Sequence, residues 1–183
     1  MRQRVERAYG ELLAASGDDP VRDGLRTTPA RASEAFAFLT SGYRSDPAAE
    51  LAKAVFPSES DEMIAMKDIE LYSLCEHHLL PFFGHVHVAY VPDKSIVGFS
   101  NIPQLVDRFA HRLQIQERLT AQVAGTLMEV LRARGVGVVI EARHLCVMMR
   151  GVRKQNPVMR TSCMLGTFRT DSATRAEFLA SIR

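Results

Sequence analysis

Gly135-Val136-Gly137-Val138-Val139-Ile140-Glu141-Ala142-Arg143-His144-Leu145-Cys146-Val147-Met148-Met149 decides how this chain folds. In an extended backbone alternate residues share a face. Val136, Val138, Ile140, Ala142, His144, Cys146 and Met148 therefore line one side of a long strand predicted over 136–149. An apolar face that turns into histidine and cysteine near its end reads as the wall of a site. Upstream, 117–134 carries Leu119, Val123, Leu127, Val130 and Leu131 at helical spacing, with Gly135 where a C′ glycine belongs. A second helix starts near Ser100 and Pro103 and carries Leu105, Val106 and Phe109. Further back, Val86, Val88 and Tyr90 alternate with His85, His87 and Ala89 in a strand, and Ile64, Met66, Ile69 and Leu71 mark another. Downstream, a polar loop around Lys154-Gln155-Asn156-Pro157 leads to a last strand over about 159–169 and a closing helix over 172–182. The order strand, strand, helix, helix, strand, strand predicts an α+β domain with an antiparallel four-stranded sheet and two helices inserted between the strand pairs.

The first third reads differently. Val5, Ala8, Tyr9, Leu12 and Leu13 form one helical stripe, stopped by Gly17-Asp18-Asp19-Pro20. Thr28-Pro29 supplies an N-cap followed by proline at N1 for a helix to about Leu39. Residues 43–60 read as a short helix between loops. The predicted division is a helical appendage over 1–60 and a sheet domain over 61–183.

Composition bounds the function. Of 183 residues, 46% are hydrophobic and 24% charged, with a formal net charge of +2. These are globular values, and they argue against disorder. Cations are scattered, not striped, so no nucleic-acid partner is expected. No run approaches the ~18 apolar residues of a membrane helix, and the charged start lacks the apolar core of a secretory signal. Three cysteines, an odd number without a signal, fit reduced thiols and a cytoplasmic location.

The chemistry concentrates in two places: Ser73-Leu74-Cys75-Glu76-His77-His78-Leu79-Leu80-Pro81 between two strands, and Ala142-Arg143-His144-Leu145-Cys146. A cysteine and a histidine three residues apart in a tight loop can grip one ion, and a remote cysteine can supply a third ligand. Two thiolates and one imidazole suit zinc, and three protein ligands leave a fourth position open, as in catalytic sites. Cys75, His78 and Cys146 are the candidate ligands. Cys163 reads as a packed thiol, and His85, His87 and His111 as surface or sheet-packing residues.

The segment Ser73–Pro81 continued through Phe82-Phe83-Gly84 resembles the signature of the GTP cyclohydrolase I family. So do Gln114-Ile115-Gln116-Glu117-Arg118-Leu119-Thr120, Gly135 through Cys146, and Thr161-Ser162-Cys163-Met164-Leu165-Gly166. Asp19-Pro20-Val21-Arg22-Asp23-Gly24-Leu25 and Thr28-Pro29-Ala30-Arg31 match more weakly, so the resemblance spans nearly the whole chain in order. It implies the tunnelling fold, in which sheets of several subunits join edge to edge into a barrel, typically a decamer, with active sites between subunits. It implies Zn2+ on Cys75, His78 and Cys146, His77 as the acid/base residue and His144 as a second catalytic histidine. Glu117 would bind guanine, with Gln116, Ser100, Arg150 and Arg31 as further substrate-binding positions. The implied reaction is hydrolytic opening of the imidazole ring at C8, loss of formate, ribose rearrangement and closure to dihydroneopterin triphosphate.

The departures cluster where the family holds phosphates. Asn101 and Gln104 stand where the family has lysine and arginine, and Glu34 replaces a lysine three residues after Arg31. Each lost charge-assisted bond is worth about 1.5–3 kcal/mol. Arg153, Lys154 and Arg160 are possible compensators. The main expectation is a guanine-type substrate with fewer phosphates than GTP, or an 8-oxidised guanine. The alternative is ordinary GTP cyclohydrolase I activity. A non-catalytic purine- or pterin-binding regulator is a third class, disfavoured by the intact Cys75, His77, His78, His144, Cys146 set. A zinc nucleobase deaminase would need His-x-Glu and Pro-Cys-x-x-Cys, which the chain lacks.

Overall fold

A computed structural model describes residues 2–183. The chain divides into two compact units, the first ending at Ser41 and the second covering Gly42–Arg183. In the first, α1 (Arg2–Ala15) and α2 (Thr28–Leu39) pair. Tyr9 meets Phe36 edge to face at 6.5 Å, the buried Ser33 hydroxyl donates to the Arg2 carbonyl, and Arg2 is ion-paired with Glu34.

The second unit is built on a sheet. Its four long strands are β2 (Ile64–Cys75), β3 (Pro81–Val91), β6 (Gly135–His144) and β7 (Met159–Gly166), all antiparallel in that spatial order. A two-residue strand, β5 (Leu113–Gln114), adds a parallel fifth member beside Leu74 and Cys75. The four-stranded expectation is thus corrected by a short edge that the sequence, with only two residues to show, did not mark. β1 (Val55–Pro57) and β4 (Ser95–Val97) form a separate antiparallel pair. The boundary expected near residue 60 also moves. α3 (Pro47–Ala52) lies in the sheet unit, and its Leu51 is 3% exposed within the main core.

α4 (Asn101–Ala110) and α5 (Gln116–Leu131) cover one face of the sheet. Leu105, Val106 and Phe109 from α4 and Leu119, Val123 and Leu127 from α5 meet Leu71, Val86, Val88, Val138 and Ile140. On the other face Ala89 and Val139 pack with Phe168 of α7 (Thr167–Thr170) and Phe178 of α8 (Ser172–Ser181). β7 stops at Gly166, where φ of 56° turns the chain into α7, so the last strand is shorter than the 159–169 expected.

Two irregularities matter. The apolar parity of β2 changes between Ile64/Met66 and Ile69/Leu71, and a bulge lies there, with Asp68 at φ 59°. The extra residue is what lets both halves face the core. At the other end, β6 stops at His144, opposite Phe82, because β3 begins at Pro81 and offers no partner beyond it. The chain then curls into the helical turn α6 (Leu145–Met148). The single strand predicted over 136–149 is therefore a strand followed by a turn. No helix of the described residues is long and apolar enough to cross a membrane.

Candidate metal centre

The end of β2 and the turn after β6 bring three soft donors together. Cys75 closes β2 and is buried, and the next residues fold into a tight turn. His78 and Leu79 amides donate to the Cys75 carbonyl at 3.3 and 2.8 Å, and the Cys75 amide donates to Leu80 at 2.9 Å. Leu79 adopts φ 54° to complete the loop. This places Cys75 Sγ 3.6 Å from His78 Nδ1 and 4.0 Å from His77 Nδ1. Cys146, on α6, completes a group whose donor atoms all lie within 4.8 Å of one another. Tetrahedral zinc bonds imply ligand separations of about 3.5–3.8 Å, so the three donors need to close by little to hold one ion. The donor set also has the softness zinc prefers.

Burial, followed by the neighbouring Cys75, pushes the Cys146 thiol up, with Arg150 acting in the opposite sense. A thiolate here therefore calls for a cation beside it. Arg150 follows α6 and is exposed. Glu76, between Cys75 and His77, takes a bidentate pair from Arg118 at 2.6 and 3.2 Å, which holds its carboxyl below the usual range. The Glu76 amide also donates to Gln114 at 3.0 Å, so the metal loop is tied to the start of α5. Glu117 lies exposed in the first turn of that helix.

His144 is half-buried, its ring stacked on Phe82 at 4.7 Å and 5°. Desolvation lowers its pKa, with the Glu117 charge opposing. Its Nε2 lies 2.9 Å from Gln116 Oε1. Gln116 is 1% exposed, and its amide nitrogen donates to Ile140 O, Met159 O and Thr161 Oγ1 at 3.0, 3.0 and 3.1 Å. Expected to bind substrate, Gln116 has its side chain committed inside the chain, because its amide is already hydrogen-bonded at both ends. Phe82, Thr161 and Thr120 around it fall inside the resembling segments, but the sequence assigns them no role. A buried hydroxyl beside a distant strand leaves no local pattern.

Within the second unit, the predicted residues of α4 are not at this corner. Ser100, Asn101 and Gln104 belong to the start of α4. That helix begins beside Val97, whose amide donates to the Tyr90 hydroxyl at 3.4 Å, and ends at Ala110, whose carbonyl accepts from Ser73 at 2.6 Å. Tyr90 and Phe82 are at opposite ends of β3, eight residues or about 26 Å apart at strand rise. The α4 start is thus at the far end of the sheet from Cys75. Asn101 and Gln104 border a groove with Pro47, Glu50, Leu51, Leu105 and Arg108, in which Arg108 is ion-paired with Glu50 at 2.8 Å. Arg31 and Glu34 lie on α2 in the first unit, both exposed.

The chain is similar to known proteins along nearly its whole length. A relative from Alkalilimnicola ehrlichii named GTP cyclohydrolase 1 is 55% identical over 183 residues, 100% of this chain and 99% of its own. One of the same name from Coxiella burnetii is 58% identical over 172 residues, 94% of each chain. A third, from Teredinibacter turnerae, is 55% identical over 172 residues, again 94% of each. The crystal structure of the archaeosine synthase QueF-Like in the apo form superposes with a TM-score of 0.50 at 15% identity, over 59% of this chain and 97% of that one, a likeness of fold alone. Residues 5–183 match the family described as GTP cyclohydrolase I, and with a match of that extent the chain belongs to the GTP cyclohydrolase I family.

Proposed function

We propose that this chain is a zinc-dependent hydrolase that opens the imidazole ring of GTP at C8, releases formate and closes the product to dihydroneopterin triphosphate. The observation that carries the reading is the gathering of Cys75, His78 and Cys146 within 4.8 Å, with His77 beside them. Zinc held there would supply an acidified water for addition at C8. The residues around it have separate tasks. Glu117 offers an exposed carboxylate that accepts from N1–H and the 2-amino group of guanine together, which selects guanine over adenine. His77, exposed on the metal loop, protonates N7 and makes C8 electrophilic, a contribution on the order of 10²–10⁴ in rate. His144 serves the same end of the base, and Arg150 takes phosphate.

GTP is preferred over the phosphate-poor substrate that Asn101, Gln104 and Glu34 suggested. Relatives carrying the name GTP cyclohydrolase 1 match at 55–58% identity along nearly the full chain. The placement of α4 supports a shared site. If Ser100, Asn101 and Gln104 contact the same substrate as Cys75, they must come from another subunit, because within one chain they are at opposite ends of the sheet. The outer edge of β7 and most of that of β2 have no partner strand among the described residues. Such edges are normally covered, and edge-to-edge closure into a barrel, a decamer by family resemblance, covers them.

One observation favours a second reading, in which the phosphate tail is held weakly. Arg108, which lines the groove with Asn101 and Gln104, is engaged by Glu50, and Glu34 is engaged by Arg2. The test is catalytic efficiency of zinc-loaded protein on GTP, guanosine and 8-oxoguanine. GTP leading, with a fluorescent pterin formed, upholds the proposal. Guanosine or 8-oxoguanine leading, with no pterin, overturns it in favour of the second reading.

A further inference from the structure

We infer that Gln116 is a positioning residue that fixes which nitrogen of His144 exchanges protons with the substrate: Nε2 is held as a permanent donor, and Nδ1 is left for the reaction. The inference rests on the placement of His144 at the reacting end of the base proposed above.

Hydrogen-bond polarity fixes the orientation of the Gln116 amide. The Ile140 and Met159 carbonyls can only accept, and both face the same end of the Gln116 side chain at 3.0 Å. That end must be the NH2 group, so the amide cannot be turned over without setting its oxygen against two carbonyl oxygens. Gln116 Oε1 therefore faces His144 Nε2 at 2.9 Å, and because Oε1 can only accept, Nε2 must carry the proton. The same sense runs on through the threonines. Thr120 donates to the Gln116 carbonyl at 2.7 Å, which spends its one proton. In the 2.7 Å contact between the two hydroxyls Thr161 is then the donor. This leaves a lone pair of Thr161 Oγ1 toward the Gln116 amide nitrogen at 3.1 Å, where it shares the two N–H protons with the Ile140 and Met159 carbonyls in a three-centre bond. The loop starts and ends on Gln116, with each hydroxyl used once as donor.

Packing fixes the rest. Phe82, fully buried, stacks on the imidazole at 4.7 Å and sets its plane. Among the described residues no hydrogen bond is made to His144 Nδ1, whereas Nε2 is engaged. A ring flip would bring carbon to Oε1 and leave a buried acceptor unpaired, which is costly. Nothing in this network depends on the protonation state of His144, since Nε2 donates in both the neutral and the charged ring. It also explains why a glutamine next to the proposed guanine-binding Glu117 is buried: the two adjacent side chains point to different tasks, one outward and one inward.

The test uses zinc-loaded protein labelled with nitrogen-15 at histidine. Solid-state NMR, with the His144 signals assigned by their loss in His144→Gln, reports which ring nitrogen holds the proton. The expected result is a protonated Nε2 and a bare Nδ1 in the neutral ring of the parent. In Gln116→Met this preference is lost and kcat on GTP falls about 10- to 100-fold, the scale for removing the partner that orients an imidazole. KM and zinc content stay unchanged. Thr161→Val shifts both readouts the same way, less strongly, and Thr161→Ser restores them; this pair decides the matter if Gln116→Met does not fold. A parent with the proton on Nδ1 overturns the inference, as does Gln116→Met with unchanged tautomer and kcat. A raised KM with unchanged kcat also overturns it, and makes Gln116 a substrate contact. If the parent releases no formate from GTP, the proposed function fails, while the NMR comparison still decides the tautomer.

Discussion

Cys146 is half-buried, and that burial, followed by the neighbouring Cys75, pushes its thiol up. Two adjacent thiolates are tolerable only around a cation, so the metal and the three side chains should stand or fall together. Cys75→Ala, His78→Ala and Cys146→Ala are each expected to lose zinc and activity in parallel, read by metal analysis of the purified variants; full zinc in any of them removes that residue from the ligand set. His77→Ala should behave otherwise, keeping zinc while ring opening falls on the order of 10²–10⁴-fold. Turnover at the parent rate would end its acid/base role. These residues were legible because Cys75 and His78 share one tight loop. Cys146 was reached by counting along a strand that in fact ends at His144, and the turn α6 places it near Cys75 regardless. Gln116 was legible only as part of a motif. Its inward direction depends on Met159 and Thr161, more than forty residues away, which no local pattern reports.

The elements hold this corner through the pairing of β3 with β6. Gly84 lies opposite Ala142, and a Cβ there would collide with the Glu141 carbonyl oxygen and sit 2.7 Å from Ala142 Cα. Gly84→Ala is therefore expected to destabilise by an amount at the upper end of the usual ~0.5–3 kcal/mol, read as a lowered Tm; an unchanged Tm would mean the strands part at no cost. On the same strand His87, 3% exposed, accepts the Asp68 amide at Nδ1 and so supports the bulge. Burial holds its pKa below the usual value; Asp68 and Glu141 oppose this, and His85 and Arg160 add to it. The unfolded chain takes up this proton as pH falls through about 6.5, while the folded chain does not. The stability His87 contributes is thus present above that pH and is lost below it, down to the depressed folded value. Urea midpoints should be lower near pH ~5.5 than near pH ~7.5, with a smaller difference in His87→Asn, which keeps an acceptor but does not titrate. An equal difference in both proteins would assign the effect elsewhere. The bulge itself could be read from the parity change in β2, whereas β5 could not, since two residues carry no periodicity.

At the scale of the whole molecule, a barrel closed edge to edge gives light scattering a clear expectation: particles near ten times the 20.4 kDa of the chain. An active monomer would leave Asn101 and Gln104 outside the site. Restoring charge with Asn101→Lys and Gln104→Arg should raise GTP affinity, with the gain shrinking as salt rises; no gain at low salt would show that these positions do not meet phosphate. The order of the four long strands, with two helices between the strand pairs, could be read from the sequence. The assignment of 43–60 to the appendage could not be sustained, because Leu51 is only recognisable as core once α3 is seen within the sheet unit. All of this serves one claim, that the Cys75, His78, Cys146 corner opens a guanine ring at C8. The most direct measurement follows zinc-loaded protein with GTP carrying carbon-13 at C8, read by NMR. The account predicts that the label leaves as formate, one equivalent for each GTP consumed, and that Cys146→Ala releases none. Label retained in an intact purine while zinc is bound, or formate released equally by Cys146→Ala, would contradict it.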